Sequence, residues 1–445
     1  MKYIYVLFGS LFLMTACSVD LDQSPPNLAS ADALTDFEGV LNAAYYYQLG
    51  SVTPLAVMAD FRADNARMQE APYTEFDTFT NNLTTMEDQF FGPLYTAMYK
   101  SILSANNVIE NSSNVTQVAE AKFLRALSYF KLVKSFGGVT INLSASPSLT
   151  DTSILARSSA EEVYNNVIIP DLNDAIAALS TSIVDGRASK YAAQALLGKA
   201  YAAKGDYTNA ATHLAAVVNG ASSAGISLKS NFNEIFGAAY ENGNSEIIYA
   251  TRITGSIVDE YSFGSDFWNW FVGDDSKSDL PVDPSLVSAF DASDAQGGGT
   301  DLRRAVTLST DGLKAVKFPK EGGLGTEHDW IEIRLADVIL LYAEALNETG
   351  SPATTVLALL DPIRTRAGLT SLVGTATSKT EVSQVISNER RLELAFEGHR
   401  WFDLVRTNSV NAAMGQSVNS NYHVFPIPVS EILATGGVIT QNAGY

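Results

Sequence analysis

The chain is 445 residues long, 46% hydrophobic and 18% charged, the balance of an ordered globular protein rather than a disordered one. Its formal net charge of −20 repels phosphate backbones and no arginine or lysine cluster stands out locally, so nucleic acid is not an expected partner. The histidines are His213, His328, His399 and His423, with no HExxH pair and no Cys/His grouping at zinc spacing, so no transition-metal centre is expected.

Met1 and Lys2 open a weakly basic segment, Tyr3 to Leu13 is an apolar run of signal-peptide length, and Leu13-Met14-Thr15-Ala16-Cys17 comes at once after it. A bilayer-spanning helix needs about 20 apolar residues, so this run is too short to be an anchor by itself. Its ending resembles the bacterial lipobox, and Cys17 is the sole cysteine, which makes it the expected lipid-attachment residue once residues 1–16 are removed. Each buried CH₂ of such a lipid contributes ~0.8 kcal/mol, so several acyl chains anchor stably where one does not. Polar Ser18 to Asn27, with Pro25-Pro26, reads as an extended tether within 17–30.

Helical periodicity dominates the chain beyond the tether. Thr35 with Glu38, Ser159 with Glu162 and Ser378 with Glu381 have capping-box spacing, the first at a helix expected over Leu34 to Gln48. Leu94, Met98, Ile102, Ala105 and Ile109 form one helical stripe, and a second long helix is expected from Val118 to Phe136, ending at Gly137-Gly138. In "ALLGKAYAAKGDYTNAATHLAAVV", residues 195–218, Leu197, Gly198, Tyr201, Ala210 and Leu214 fall at the offsets of a tetratricopeptide helix pair, with Gly205-Asp206 as the turn. One such pair cannot bury its apolar face alone, so several are expected to stack. Strand signals are confined to Glu246 to Ile253, Lys314 to Phe318 and Val424 to Val429, and residues 255–325 read as mostly irregular. The expected class is all-α, a tetratricopeptide-like helical-repeat scaffold with a loop-rich part.

Two stretches mix flat aromatic rings with groups that satisfy hydroxyls, the chemistry a sugar site needs. In "DFRADNARMQEAPYTEFDTF", residues 60–79, Asp64, Asn65, Arg67, Tyr73 and Phe76 are candidate ligand-binding residues. In "DEYSFGSDFWNWFVGDDSKSD", residues 259–279, Trp268 and Trp270 flank Asn269, with Tyr261, Phe263 and Phe271 nearby. Asp274-Asp275 and Asp291 to Asp301 offer oxygen ligands but lack EF-hand spacing, so they read as solvated acidic loops; no cofactor and no metal is expected.

The densest charge pattern is "ERRLELAFEGHRWFDLVR", residues 389–406. On a helix, Glu389, Glu393 and Glu397 share a face, and Arg390, Arg391 and Arg400 lie close enough to match them. Gly398 either ends that helix or admits another backbone. A catalytic acid/base pair needs one carboxyl kept away from cations, which arginines beside every glutamate prevent. A structural ion-pair role is therefore expected, and no catalytic residue is assigned.

That block, together with "AEAKFLRALSYFKLVKSFGGV", "RSSAEEVYNNVIIPDLNDA", "IRLADVILLYAEALNETG" and the closing "FPIPVSEILATGGVITQNAGY", resembles the SusD/RagB family of Bacteroidetes surface lipoproteins, in the family's order. Asp20 and Asp22 look like the acidic export tags of such lipoproteins. The resemblance implies a signal peptide over 1–16, a tether over 17–30, helical regions over 31–220 and 221–445 in one compact unit, and binding loops near the two aromatic stretches. It further implies a non-enzymatic, outer-membrane, lipid-anchored protein facing the exterior, which captures oligosaccharides for a SusC-like TonB-dependent transporter. The chain departs from the family's pattern in a short middle region and in Asn442-Ala443-Gly444-Tyr445, where proline is common before the glycine. Peptide cargo, or hydrolysis of an extracellular glycan, are the alternatives.

Overall fold

The helical stripes become, in chain order, α1 (Glu38–Tyr46), α2 (Val52–Phe61), α3 (Gly92–Asn111), α4 (Val115–Phe136), α5 (Ile169–Ala178), α6 (Lys190–Ala203), α7 (Tyr207–Gly220), α8 (Pro284–Gly297), α9 (Leu335–Glu348) and α10 (Lys379–Glu393). These are seen in a computed structural model that describes residues 36–148, 151–253, 267–271, 280–318 and 328–445. Cys17, the tether, Thr35, Tyr261, Phe263 and Asp274-Asp275 lie outside the described residues.

Local chemistry sets the helix ends. The Asn114 side chain accepts from the Thr116 and Gln117 amides to start α4, and Gly137, at φ 72°, ends it. Both remaining capping boxes form, Ser159 with Glu162 and Ser378 with Glu381. Each helix then buries its stripe on the next: α3 packs on α1 and α4, α4 on α5, α5 on α6, α6 on α7, α7 on α9 and α9 on α10. In the α6/α7 pair a Cβ built on Gly198 would lie 2.6 Å from Leu214 Cγ, so glycine is what lets the helices close. Tyr201 is half-buried there, its ring stacked on His213 at 5.6 Å. Phe37–Tyr445 forms one compact unit.

The strands are few. β1 (Val139–Thr140) pairs antiparallel with β2 (Arg157–Ser158). β3 (Ile247–Thr251), inside the expected Glu246 to Ile253, pairs antiparallel with β4 (Trp330–Arg334), Ile247 opposite Arg334 and Thr251 opposite Trp330. The expected strand over Lys314 to Phe318 reduces to one bridge, Ala315 to Leu308, and Val424 to Val429 joins no ladder among the described residues. Part of 255–325 is regular after all. Asp283 accepts from the Ser285 amide at 2.8 Å, Pro284 occupies the first turn, and fourteen residues run as α8 to Gly298.

The closing segment clasps the end of α4. Asn442 donates to the carbonyls of Phe136 at 3.0 Å and Phe425 at 2.7 Å while accepting from Arg157 at 2.6 Å, so the residue before Ala443 ties the closing segment down.

Candidate ligand-binding face

Helix α2 is buried along its whole length, and the chain leaving it is pulled back by Arg62. That guanidinium donates to the Phe76 carbonyl at 2.7 Å and lies 4.2 Å over the Phe79 ring. Residues 64–67 are then pinned to 281–283: the Arg67 amide donates to Pro281 at 2.9 Å, the Asp283 amide to Asn65 at 3.0 Å, and Ala66 bridges Val282. This brings the first aromatic stretch against the chain just after the second, and Tyr73 and Trp270 join the two.

Their rings interlock. Tyr73 meets Trp270 edge-on at 5.1 Å, Phe90 meets Trp270 at 5.3 Å and Phe76 at 5.6 Å, and Phe61 stacks on Phe271 at 5.0 Å. Burial separates their roles. Phe76 and Trp270 are 0% and 1% exposed, so they are the floor of this cluster, whereas Tyr73 is half-buried and reaches its surface; of the other candidates Trp268 is buried and Arg67 and Asn269 are half-buried. Phe90, from an adjoining segment, was not foreseen because its contribution depends on contacts far apart in the chain.

Asp64 and Asn65 face the other way. Arg400 holds Asp64 bidentately, Nε to Oδ1 at 2.6 Å and Nη2 to Oδ2 at 2.8 Å, and Arg391 donates to the Asn65 side chain at 3.0 Å. Burial opposes ionisation of Asp64, but Arg400 and Arg391 outweigh it and hold the carboxyl below its usual range. Asn65 in turn donates to Asp60 at 3.0 Å. These two residues tie the face to the "ERRLELAFEGHR" block.

Sequence reasoning passed over Asp77, on the short helix Glu75–Thr78. Burial pushes its carboxyl up to about 7 and Asp283 adds to this, against the opposing pull of the Met68 amide, Arg62 and Arg67. The signal was present as an acid one residue after Phe76, but only the fold shows that it is half-buried.

The glutamates of the charged block are structural. Helix α10 stops at Glu393; Phe396 and Gly398 take φ of 65° and 76°, and a new short helix begins at Arg400, so the block is not one continuous helix. A Cβ on Gly398 would lie 2.9 Å from the Trp330 ring, so the close approach is by a side chain rather than a backbone. Glu393 accepts from Arg334 at 2.6 Å, Arg366 at 2.5 Å and Arg303 at 3.1 Å. Glu389 accepts from Arg303 at 2.6 Å and Arg364 at 2.8 Å, and Glu397 from Lys317 and Arg334, each at 2.7 Å. With Asp301 on Arg303, and Glu246 on Arg334 and Arg366, five carboxylates face five cations in the buried interior. Burial alone would raise Glu393; Arg366, Arg334 and Arg303 together hold it well below the usual range, so it is no proton donor at neutral pH.

The acidic run 291–301 is not the expected solvated loop: it is helix α8 through Gly297, Asp301 is buried on Arg303 and accepts from Ser293 at 2.9 Å, and Asp291 pairs with Arg304.

Residues 299–445 match the family described as the SusD family, and residues 20–202 match one described as starch-binding associating with the outer membrane. A "SusD-like protein P2" of Formosa agariphila is 24% identical across the whole of both chains. The "Starch-binding protein SusD" of Bacteroides thetaiotaomicron is 26% identical over 78% of this chain and 76% of that one. A solved structure, "Laminarin binding SusD-like protein", superposes with a TM-score of 0.72 at 27% identity, covering 93% of this chain and 99% of that one.

Proposed function

Since this chain belongs to the SusD/RagB family, we propose that it is a surface lipoprotein that captures oligosaccharides and passes them, chemically unchanged, to a SusC-like TonB-dependent transporter. The observation that carries the reading is the junction of the two aromatic stretches, where Tyr73 rests on Trp270, each stretch also supplying a half-buried polar residue, Arg67 and Asn269. A buried indole under a partly exposed phenol, on stretches that also carry a guanidinium and an amide, matches a sugar ring that offers an apolar face and a hydroxyl rim. The starch and laminarin named for two relatives are neutral glucans. A neutral cargo also suits a chain of net charge −20, which would repel a polyanion.

In this reading Cys17 carries the lipid, residues 17–30 are the tether, and the protein faces outward from the outer membrane. The buried ion pairs of Glu389, Glu393 and Glu397 support a non-catalytic role, since no carboxyl of that block is left to act as an acid.

Calorimetric titration of the purified protein with laminarin, soluble starch and a peptide digest tests the cargo, and a reducing-sugar assay tests catalysis. Saturable binding of a glucan without sugar release is expected. Binding of peptides alone, or turnover of any glycan, overturns the proposal. Exchange of Cys17 for serine is expected to release the protein from the outer membrane, and retention there would remove the lipid assignment.

A further inference from the structure

A cleft of about 290 Å³ lies between α4, α6, β4 and the short helix Arg400–Arg406. Its walls are apolar, with Leu127, Phe130, Leu196, Ile333, Leu341 and Phe402 among them, and its rim at Gly137, Ala160, Ala203 and Val424 is half-buried, so solutes have a way in.

Nearly every charge on this cleft is matched. Lys131 on α4 meets Glu332 on β4 at 2.5 Å, Lys199 on α6 meets Asp337 on α9 at 2.5 Å, and Arg390 on α10 meets Asp337 and Asp403, each at 2.9 Å. Arg406 meets Asp403 at 2.7 Å as well as Glu344, and Glu397 is held by Lys317 and Arg334. Two further titratable groups face in without bringing charge: burial lowers His399 to about 4 and raises the Tyr164 phenol, leaving both neutral near pH 7. The exception is Lys134. Among the described residues it has no hydrogen bond and no ion pair, and its Nζ lies 4.5 Å from the Phe402 ring centroid and 5.7 Å from that of Phe130.

We propose that Lys134 is the anchor of a binding site for a short-chain monocarboxylate, whose carboxylate pairs with the ammonium while its alkyl tail lies on the apolar walls. Lys134 is half-buried, so its ammonium keeps its charge where water or a counter-ion solvates it, and an anion with an apolar tail does so while also covering the walls. One spare cation calls for one negative charge. A dianion such as phosphate would bring a second one toward Glu332 and Asp403, and a bare halide would leave the walls uncovered. A liquid water molecule occupies ~30 Å³, so the cleft has room for a small organic acid with its own hydration.

Burial lowers Lys134 to about 7, with Lys199 and Lys131 acting the same way and Glu332 and Asp403 opposing. Only the protonated amine pairs with a carboxylate, so affinity follows its population and falls roughly thirtyfold between about pH 6 and about pH 8.5.

The test is calorimetric titration of the full chain with sodium butyrate at constant ionic strength, balanced with sodium chloride, at those two pH values. Saturable binding at the lower pH, weakened roughly thirtyfold at the higher and lost in Lys134→Met, is expected. Lys134→Arg keeps its charge throughout, so its binding is expected at both pH values; this variant decides the matter if the methionine protein does not fold. No saturable heat at the lower pH, an equal heat from chloride alone, or a pH dependence that persists in the arginine variant overturns the proposal.

Discussion

The ring of Tyr73 stands at 85° to that of Trp270 with centroids 5.1 Å apart, the first half-buried and the second 1% exposed. The pair divides labour between contact and support. Tyr73→Ala is expected to weaken glucan binding by about 1 kcal/mol, roughly fivefold in Kd, with little change in Tm. Trp270→Ala removes a buried indole from among Tyr73 and Phe90 and is expected to cost ~3–5 kcal/mol of stability. Calorimetry and thermal melting of both variants check this. A Tyr73→Ala protein that melts early yet binds normally would reverse the assignment.

Glu393 is the hub of the buried charges, accepting from Arg334, Arg366 and Arg303. Glu393→Gln leaves those three guanidinium groups short of one negative charge in the interior, and a loss of ~3–5 kcal/mol is expected. The pH signature has a definite sign. The folded carboxyl sits well below the ordinary value of 4.5, so its contribution is fully present above that pH and is lost as pH falls below it. Urea melts from neutral to acid pH are expected to show the wild type losing stability more steeply than the variant below about pH 4.5. Parallel curves would mean that Glu393 contributes no ionisation-linked stability.

Spacing alone brought Glu389 and Glu393 to one face, and capping chemistry placed the starts of the 160–163 and 379–393 helices. The turn after Glu393 was not legible, because Phe396 takes φ 65° and nothing about phenylalanine announces a left-handed backbone. It is held from outside: Asp60 accepts from the Phe396 amide at 3.2 Å and the Gly398 amide at 3.3 Å across more than three hundred residues of sequence. β4 was hidden for a related reason, its "WIEIR" running straight into α9, so that period two merges with period 3.6. The same distance problem governs the candidate face. Trp270 looks like an exposed loop aromatic until Phe90 and Tyr73 arrive from nearly two hundred residues upstream, and nothing in the composition of the two stretches announced that they meet.

Gly198 offers a test in which two effects of known size oppose. Alanine for glycine in a helix interior gains up to ~1 kcal/mol of propensity. The new Cβ, however, would lie 2.6 Å from Leu214 Cγ and 2.7 Å from its Cδ2, and Leu214 is fully buried with nowhere to swing. Overpacking of this kind costs ~1–3 kcal/mol, so Gly198→Ala is expected to destabilise on balance. Adding Leu214→Ala relieves the clash, and a double-mutant cycle is expected to show a favourable coupling between the two changes. Additive losses would mean that the helices separate without strain.

Asp77 gives the candidate face a pH dependence of opposite sign to that of Glu393. Its folded carboxyl titrates at about 7 against an ordinary 3.8, so the folded state holds the proton more tightly than the unfolded chain does. Its stabilising contribution is present at and below pH 3.8 and drains away as pH rises toward 7, beyond which the difference stays constant. Asp60, raised to about 6 by burial, and Asp329, raised to about 7, add falls of their own, so only the difference between wild type and Asp77→Asn isolates Asp77. That difference, from urea melts, is expected to shift in the variant's favour as pH rises across this window and to flatten above it. Glucan affinity is expected to change around pH 7, where the folded carboxyl passes from a neutral hydrogen-bond donor to an anionic acceptor, and to stay constant in the asparagine protein. Affinity that shifts equally in both would take Asp77 out of the ligand's reach.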